Sequence, residues 1–259
     1  MKILLIDMQL SKRKETIFAS LSSRKMRDKH NLFLAEGEKC ALDTLGAFPL
    51  AGIVATKEWL ERNLHNINIT DDKIFEASPI QISRISSLVT PPEMLAVFEI
   101  PTSEDLIGRL NVGNLYLMLD GIQDPGNLGT IIRLCDWFGV ETIFASKDTV
   151  DVFNPKVVQS TMGSLKRVKV VYTDLKEIIS NNPEIPVYGT FLEGKNIFKT
   201  ALTKGGLVVM GNEGNGISDT LKGLIENKLL IPPYNQESHP ESLNVATATA
   251  ITLACFRNN

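Results

Sequence analysis

Apolar and polar positions along the chain switch repeatedly between a two-residue and a helical period, and the switches mark out alternating short strands and helices. Apolar runs at Leu32 to Ala35, Ala51 to Thr56, Lys73 to Glu76 and Leu95 to Ile100 predict strands. Helical spacing covers about Lys39 to Leu45 and Glu58 to Leu64. Glu36-Gly37-Glu38 forms the first strand-to-helix turn, where glycine supplies backbone freedom and the acids favour a helix start. These elements predict a small α/β unit.

From Pro101 to Gly113 the periodicity fades as Pro101, Thr102, Ser103, Gly108, Asn111, Gly113 and Asn114 accumulate, which places a domain junction there. We expect one domain over residues 1–105 and a second over 106–259. The second carries a longer series: Leu115 to Leu119, a helix from about Asn127 to Phe138, Thr142 to Ala145, and a helix near Pro155 to Ser160. Val168 to Tyr172, Leu175 to Ser180, Val187 to Phe191, Leu207 to Met210, Thr220 to Ile225, Leu229 to Ile231 and a closing helix from Asn244 to Phe256 complete it. Strands alternating with helices predict a mostly parallel sheet covered on both faces.

Composition narrows the class. Of 259 residues 43% are hydrophobic, enough for a real core. The longest apolar stretches fall far short of the roughly 20 residues that span a bilayer, and charge interrupts Met1 to Asp7 before a secretory segment develops. A cytoplasmic protein without a membrane partner is expected. Cys40, Cys135 and Cys255 match no zinc pattern, and His30, His65 and His239 are equally dispersed, so no metal is expected. The cysteines read as small buried hydrophobes. A net charge of −3 argues against coating nucleic acid indiscriminately. A local contact surface remains open, since Lys12 to His30 carries Lys12, Arg13, Lys14, Arg24, Lys25, Arg27 and Lys29 against Glu15 and Asp28. That stretch is either a solvated helix face or a phosphate-contacting one.

Three ordered segments carry candidate chemistry. In the first, Asp124-Pro125-Gly126-Asn127 makes a tight turn after a strand, so the helix beginning near Asn127 turns its free amides to the sheet's carboxyl edge. Arg133 lies six residues on, about 240° around an ideal helix, and shares a face with Asn127 only if Asn127 sits in the preceding turn, which we assume. Its guanidinium suits a phosphate beside a reacting ribose, or else a surface salt bridge. The second segment, Gly211-Asn212-Glu213-Gly214-Asn215-Gly216-Ile217, follows an apolar strand. Its glycine order is not the G-x-G-x-x-G of a dinucleotide fingerprint, which disfavours a nicotinamide oxidoreductase. In the third, Ile231-Pro232 and then Glu241-Ser242-Leu243-Asn244-Val245-Ala246 lead into the terminal helix, and Ser242 or Asn244 is its N-cap.

This ordered set, with Asn154-Pro155-Lys156-Val157, Ser160 and Met162-Gly163-Ser164-Leu165, resembles the SpoU/TrmH family of RNA 2′-O-ribose methyltransferases, part of the SPOUT class. The resemblance covers Leu115 to Phe256 and implies an α/β domain whose C-terminal segment forms a trefoil knot. Lys25-Met26-Arg27-Asp28-Lys29-His30 and Phe33-Leu34-Ala35-Glu36-Gly37-Glu38-Lys39 resemble the L30e-like substrate-binding module of these enzymes. By the same match, Asn127, Arg133, Glu213, Ser242 and Asn244 would be catalytic. Thr190, Gly211, Ile231 and Leu243 would line an S-adenosylmethionine pocket.

The activity so implied is methyl transfer from S-adenosylmethionine to a ribose 2′-hydroxyl of structured RNA, ribosomal RNA before transfer RNA, by a homodimer packed through its knotted domains. A non-catalytic RNA-binding module of the same fold is the alternative. In this reading Arg133 stays protonated, pairs with a phosphate and stabilises alkoxide charge, leaving the proton's acceptor open. One departure is the loop Tyr234-Asn235-Gln236-Glu237-Ser238-His239-Pro240, longer than in many relatives. His239 within it reads as incidental rather than as a general base.

Overall fold

Each half of the chain turns its apolar runs into a sheet, and the two sheets differ in kind. The computed structural model describes residues 9–101, 109–235 and 240–258, so His239 lies outside the described residues. Two units result, Met1–Ser103 with Phe153–Lys166, and Glu104–Val152 with Arg167–Asn259.

In the first unit, strands β1 (Leu32–Glu36), β2 (Leu50–Ala55), β3 (Ile74–Glu76) and β4 (Met94–Glu99) lie in the order β1-β4-β2-β3. β4 runs antiparallel to β1 and β2, while β3 is parallel to β2. Helices α1 (Lys12–Ser20), α2 (Arg24–His30), α3 (Glu38–Thr44), α4 (Lys57–Asn63) and α5 (Pro79–Ile85) accompany them. α5 was not among the predicted elements, although Ser78-Pro79-Ile80-Gln81 spells a start signal. The Ser78 hydroxyl accepts from the Gln81 N–H at 3.3 Å and the Gln81 side chain accepts from the Ser78 N–H at 3.0 Å. The basic stretch becomes α1 and α2, with one correction. Arg27 is only 2% exposed and donates to the carbonyls of Leu21 (2.8 Å) and Ser22 (2.9 Å), so it stitches a turn instead of facing a phosphate. A later segment also belongs to this unit: α7 (Pro155–Thr161) runs against β1, and the Phe153 ring lies 4.7 Å from that of Phe33.

The second unit contains β5 (Leu115–Asp120), β6 (Thr142–Ala145), β7 (Lys169–Tyr172), β8 (Val187–Asn196), β9 (Gly206–Gly211) and β10 (Asn227–Leu230). They form one sheet in the order β10-β8-β9-β5-β6-β7, and every neighbouring pair is parallel. Leu117, Met118, Leu119, Val208 and Val209 are wholly buried, as continuous apolar runs require of strands covered on both faces. From β5 the chain steps outward to β6 and β7, then crosses over to build β8 and β9 on β5's other side. The switch falls between β5 and β9, with Asp120 in register beside Gly211. Ligands of open parallel sheets gather at such a point.

Helices α6 (Pro125–Trp137), α8 (Leu175–Ser180), α9 (Asp219–Lys222) and α10 (Val245–Arg257) cover the sheet. The element expected over Thr220 to Ile225 is a single helical turn, because Gly223 caps it and Ile225 is drawn into the core with Ile217 and Leu221. α6 and α10 lie side by side with like ends together. Asn244 before α10 meets Asn127 in the first turn of α6. At the far ends, Arg257 donates to the carbonyls of Phe138 (2.6 Å) and Gly139 (2.8 Å).

Candidate active site

The first segment is organised by Asp124. Its carboxylate accepts from the Asn127 N–H at 2.8 Å as N-cap, and Pro125 occupies the first helical position, where a missing N–H costs nothing. α6 therefore starts two residues earlier than predicted. Asn127 is helical, in the first turn, and not in the turn before it, so the assumption that it shares a face with Arg133 is wrong. On one continuous helix the two side chains stand about 240° apart. Arg133 is exposed and, among the described residues, makes no hydrogen bond or ion pair. The surface salt bridge weighed for it is not formed.

The glycine segment closes on itself just beyond β9. Asn212 and Gly216 exchange both backbone hydrogen bonds, at 3.0 and 2.9 Å, and Gly216 adopts φ +68°. A Cβ on Gly211 would come within 2.3 Å of the Gly216 carbonyl carbon and the Ile217 nitrogen, so only glycine fits. Asn212 was not singled out from the sequence, yet it holds the loop. Its Oδ1 accepts from the Gly214 and Asn215 N–H groups at 2.9 and 3.1 Å, and its Nδ2 donates to the Gly121 carbonyl at 2.6 Å. An Asn just past a strand end, able to accept from the N–H two residues on, is the signal that could have found it. Asp120 adds a second tie, accepting from the Ser218 N–H at 2.7 Å.

These ties bring the three segments together. Asn127 Nδ2 donates to Glu213 Oε1 at 2.8 Å, and Asn244 Nδ2 donates to Asn127 Oδ1 at 2.9 Å. Asn244 Oδ1 accepts from the Ala246 and Thr247 N–H groups at 3.0 and 3.2 Å, which makes Asn244, not Ser242, the N-cap of α10. Ser242 is exposed and makes no side-chain hydrogen bond among the described residues.

The residues expected around a cofactor adjoin this network. Gly211 precedes Glu213 by two positions, and Leu243, 49% exposed, directly precedes Asn244. Thr190, on β8, donates to the Met210 sulfur at 3.7 Å, one residue before Gly211. Ile231 is half-buried just past β10. The apolar side chains of Ile231 and Leu243 and the bare backbone of Gly211 suit an adenosine ring. Leu243, a large apolar side chain left half in solvent beside a helix start, is what a ligand would cover.

A second crevice of about 340 Å³ opens at the same sheet edge, lined by residues including Asp120, Ser146, Lys147, Thr173, Lys176 and Ser218. The Lys147 and Lys176 ammonium groups have no partner among the described residues. A cleft of about 580 Å³ in the first unit, between Glu38, Phe48, Asn63 and Ile69, contains none of the expected site residues. Among the described residues no cluster of His, Cys, Asp or Glu could hold a metal, and no helix is long and apolar enough to cross a membrane.

The SpoU rRNA Methylase family matches residues 114–254, which spans all three segments of this site. The chain belongs to that family. An MRM3-like substrate binding domain matches residues 17–96. Among SpoU relatives, the chain is 31% identical over 240 residues to the Bacillus subtilis 23S rRNA (guanosine(2553)-2′-O)-methyltransferase RlmP, covering 92% of this chain and 93% of that one. A solved structure from Porphyromonas gingivalis, described as an RNA methyltransferase of the TrmH family, superimposes with a TM-score of 0.84 at 35% identity, covering 96% of this chain and 99% of that one. The AdoMet-bound rRNA methyltransferase of Sinorhizobium meliloti gives a TM-score of 0.82 at 28% identity, covering 96% of each chain. The α/β SPOUT fold expected from the resemblance is thus the fold observed.

Proposed function

We propose that this SpoU protein transfers a methyl group from S-adenosylmethionine to a ribose 2′-hydroxyl of ribosomal RNA. The observation that carries the reading is the Glu213–Asn127–Asn244 network, which joins three separated segments at the switch point of the parallel sheet. Thr190, Gly211, Ile231 and Leu243 would hold the cofactor. Bound there, it supplies an activated methyl group on sulfur, so the protein's work is alignment, exclusion of water and management of charge and a proton. Arg133, without a partner among the described residues, binds the phosphate next to the target ribose and stabilises charge developing on the oxygen. Asn127 and Asn244 fix Glu213, and Ser242, free of other duties, completes the wall.

The first domain, over residues 1–105 in our reading, grips RNA in the manner of an L30e-like module through Lys12, Arg13, Arg24, Lys25 and Lys29, with Arg27 as internal scaffold. The methyltransferase domain spans 106–259, with its C-terminal segment knotted, and works in the cytoplasm. Within the second unit, Lys147 and Lys176 offer further phosphate contacts in the crevice at the sheet edge. A homodimer through α6 and α10 is supported by Trp137, 84% exposed, and by the solvent-facing stripe Thr247, Ala250, Ile251 and Ala254. Sedimentation tests it, and an active monomer would refute it.

The decisive experiment supplies labelled S-adenosylmethionine and ribosomal RNA lacking its modifications, then maps ribose methylation. A single labelled 2′-oxygen is expected. Cofactor affinity without transfer to any RNA would replace the enzyme with an RNA-binding module. Transfer confined to transfer RNA would move the substrate.

A further inference from the structure

The hydrogen-bond polarity of the network is fully determined, and it ends on a carboxylate. Asn244 Oδ1 accepts from two main-chain N–H groups, so its amide can be turned only one way. Its Nδ2 must then donate to Asn127, which leaves Asn127 only its own Nδ2 to offer Glu213. Glu213 Oε1 therefore accepts and carries no proton. Oε2 has no hydrogen bond among the described residues, and the side chain is exposed.

Resting on the methyl-transfer reading above, we propose that Glu213 Oε2 takes the proton of the ribose 2′-hydroxyl, with Asn244 and Asn127 as its positioning residues. The other site groups do not offer this. Asn127 and Asn244 are neutral amides, Ser242 is a poor base, and a guanidinium such as that of Arg133 offers donors and no acceptor. Of the other acids at this edge, Asp120 is tied to the Ser218 N–H, Asp124 caps α6, and Asp148 stands beside Gly121. Among the described residues, Glu213 alone of these acids is joined to the amide pair that links both helix starts.

The step balances. As the 2′-oxygen bonds to the methyl carbon, the carbon–sulfur electron pair leaves with sulfur as a neutral thioether. The O–H bond breaks, its electrons stay on oxygen, and the proton makes Glu213 a carboxylic acid that later releases it to water. Over the whole step one negative charge on the protein and one positive charge on the donor are both lost, so no uncompensated charge builds up.

The test uses the full chain with Glu213→Gln and Glu213→Ala. Affinities for S-adenosylmethionine and for RNA are expected to stay within a few-fold, while single-turnover transfer falls by about 100-fold or more. Formate should restore transfer to Glu213→Ala in a saturable way. Independently of turnover, the Asn127 side-chain amide resonance should move in Glu213→Ala, which removes its acceptor. A near-wild-type rate in Glu213→Gln, a loss traced to weaker cofactor or RNA binding, or an Asn127 amide unmoved by Glu213→Ala would overturn the assignment. A wild-type enzyme that methylates no RNA would instead overturn the broader reading, and the amide resonance would still report on the network.

Discussion

The two ends of the α6–α10 pair are built from similar materials to opposite effect. At the C-terminal end, Arg257 is spent on the Phe138 and Gly139 carbonyls, where a cation meets the negative pole of a helix. At the N-terminal end, Asn244 donates to Asn127 and Asn127 to Glu213, which leaves one oxygen of Glu213 open, while Arg133, further along α6, has no partner among the described residues. Two arginines on adjacent helices thus serve as clasp and as tool. Fixing one end gives the other its geometry, because parallel helices locked at their far ends cannot slide at the near ones.

The comparison breaks most sharply at its two arginines. Arg133→Ala should reduce methyl transfer by about 100- to 1,000-fold while calorimetry shows cofactor binding and melting unchanged, and Arg133→Lys should fail almost as badly for want of the planar fork. Full activity in either variant would remove Arg133 from the site. Next comes Asn244, which caps one helix and braces the other. Asn244→Asp keeps a good cap but loses the donor to Asn127, so single-turnover rates should drop about 10-fold or more at an unchanged melting temperature. Asn244→Ala should lose the same activity and in addition about 1 kcal/mol of stability in denaturant titration. Equal stability of the two variants would show that the cap contributes nothing.

Arg257→Ala addresses the closed end. Losing charge-assisted bonds at an exposed site should cost about 1 kcal/mol, with kcat within a factor of two of wild type. Weaker still, Lys147→Glu with Lys176→Glu should loosen RNA binding several-fold and flatten the salt dependence of Kd by roughly two counterions, with cofactor affinity unmoved. The smallest effect concerns two thiols near the closed end. Burial pushes up Cys135 on α6 strongly and half-buried Cys255 on α10 less so, while Cys40 in the first unit is raised to about 11. At pH 8 a thiol reagent should therefore label Cys255 first in mass spectrometry. Early labelling of Cys135 would mean that the closed end opens.

Much of the second unit was legible beforehand. Strands covered on both faces must be apolar throughout, so Leu115 to Leu119 and Leu207 to Met210 stood out, and turn residues marked where each strand stopped. α5 was missed despite its capping box, since no long apolar stripe announces seven residues. The start of α6 was misjudged because Pro125 and Gly126 look like a turn, although a capped helix tolerates both in its first turn.

By itself the sequence determined which residues could form strands, where glycine was obligatory, and which polar side chains stood beyond strand ends. Those are local matters of burial, dihedral freedom and capping, set by neighbours a few positions apart. Only the tertiary structure decided that β5 lies beside β9, that Asn127 meets Glu213 and Asn244 across 86 and 117 residues, and that Arg27 and Arg257 are clasps while Arg133 is open. The reason is physical. A polar side chain's role depends on what neutralises it, and its partners are brought to it by strand order and helix packing, which no local pattern encodes.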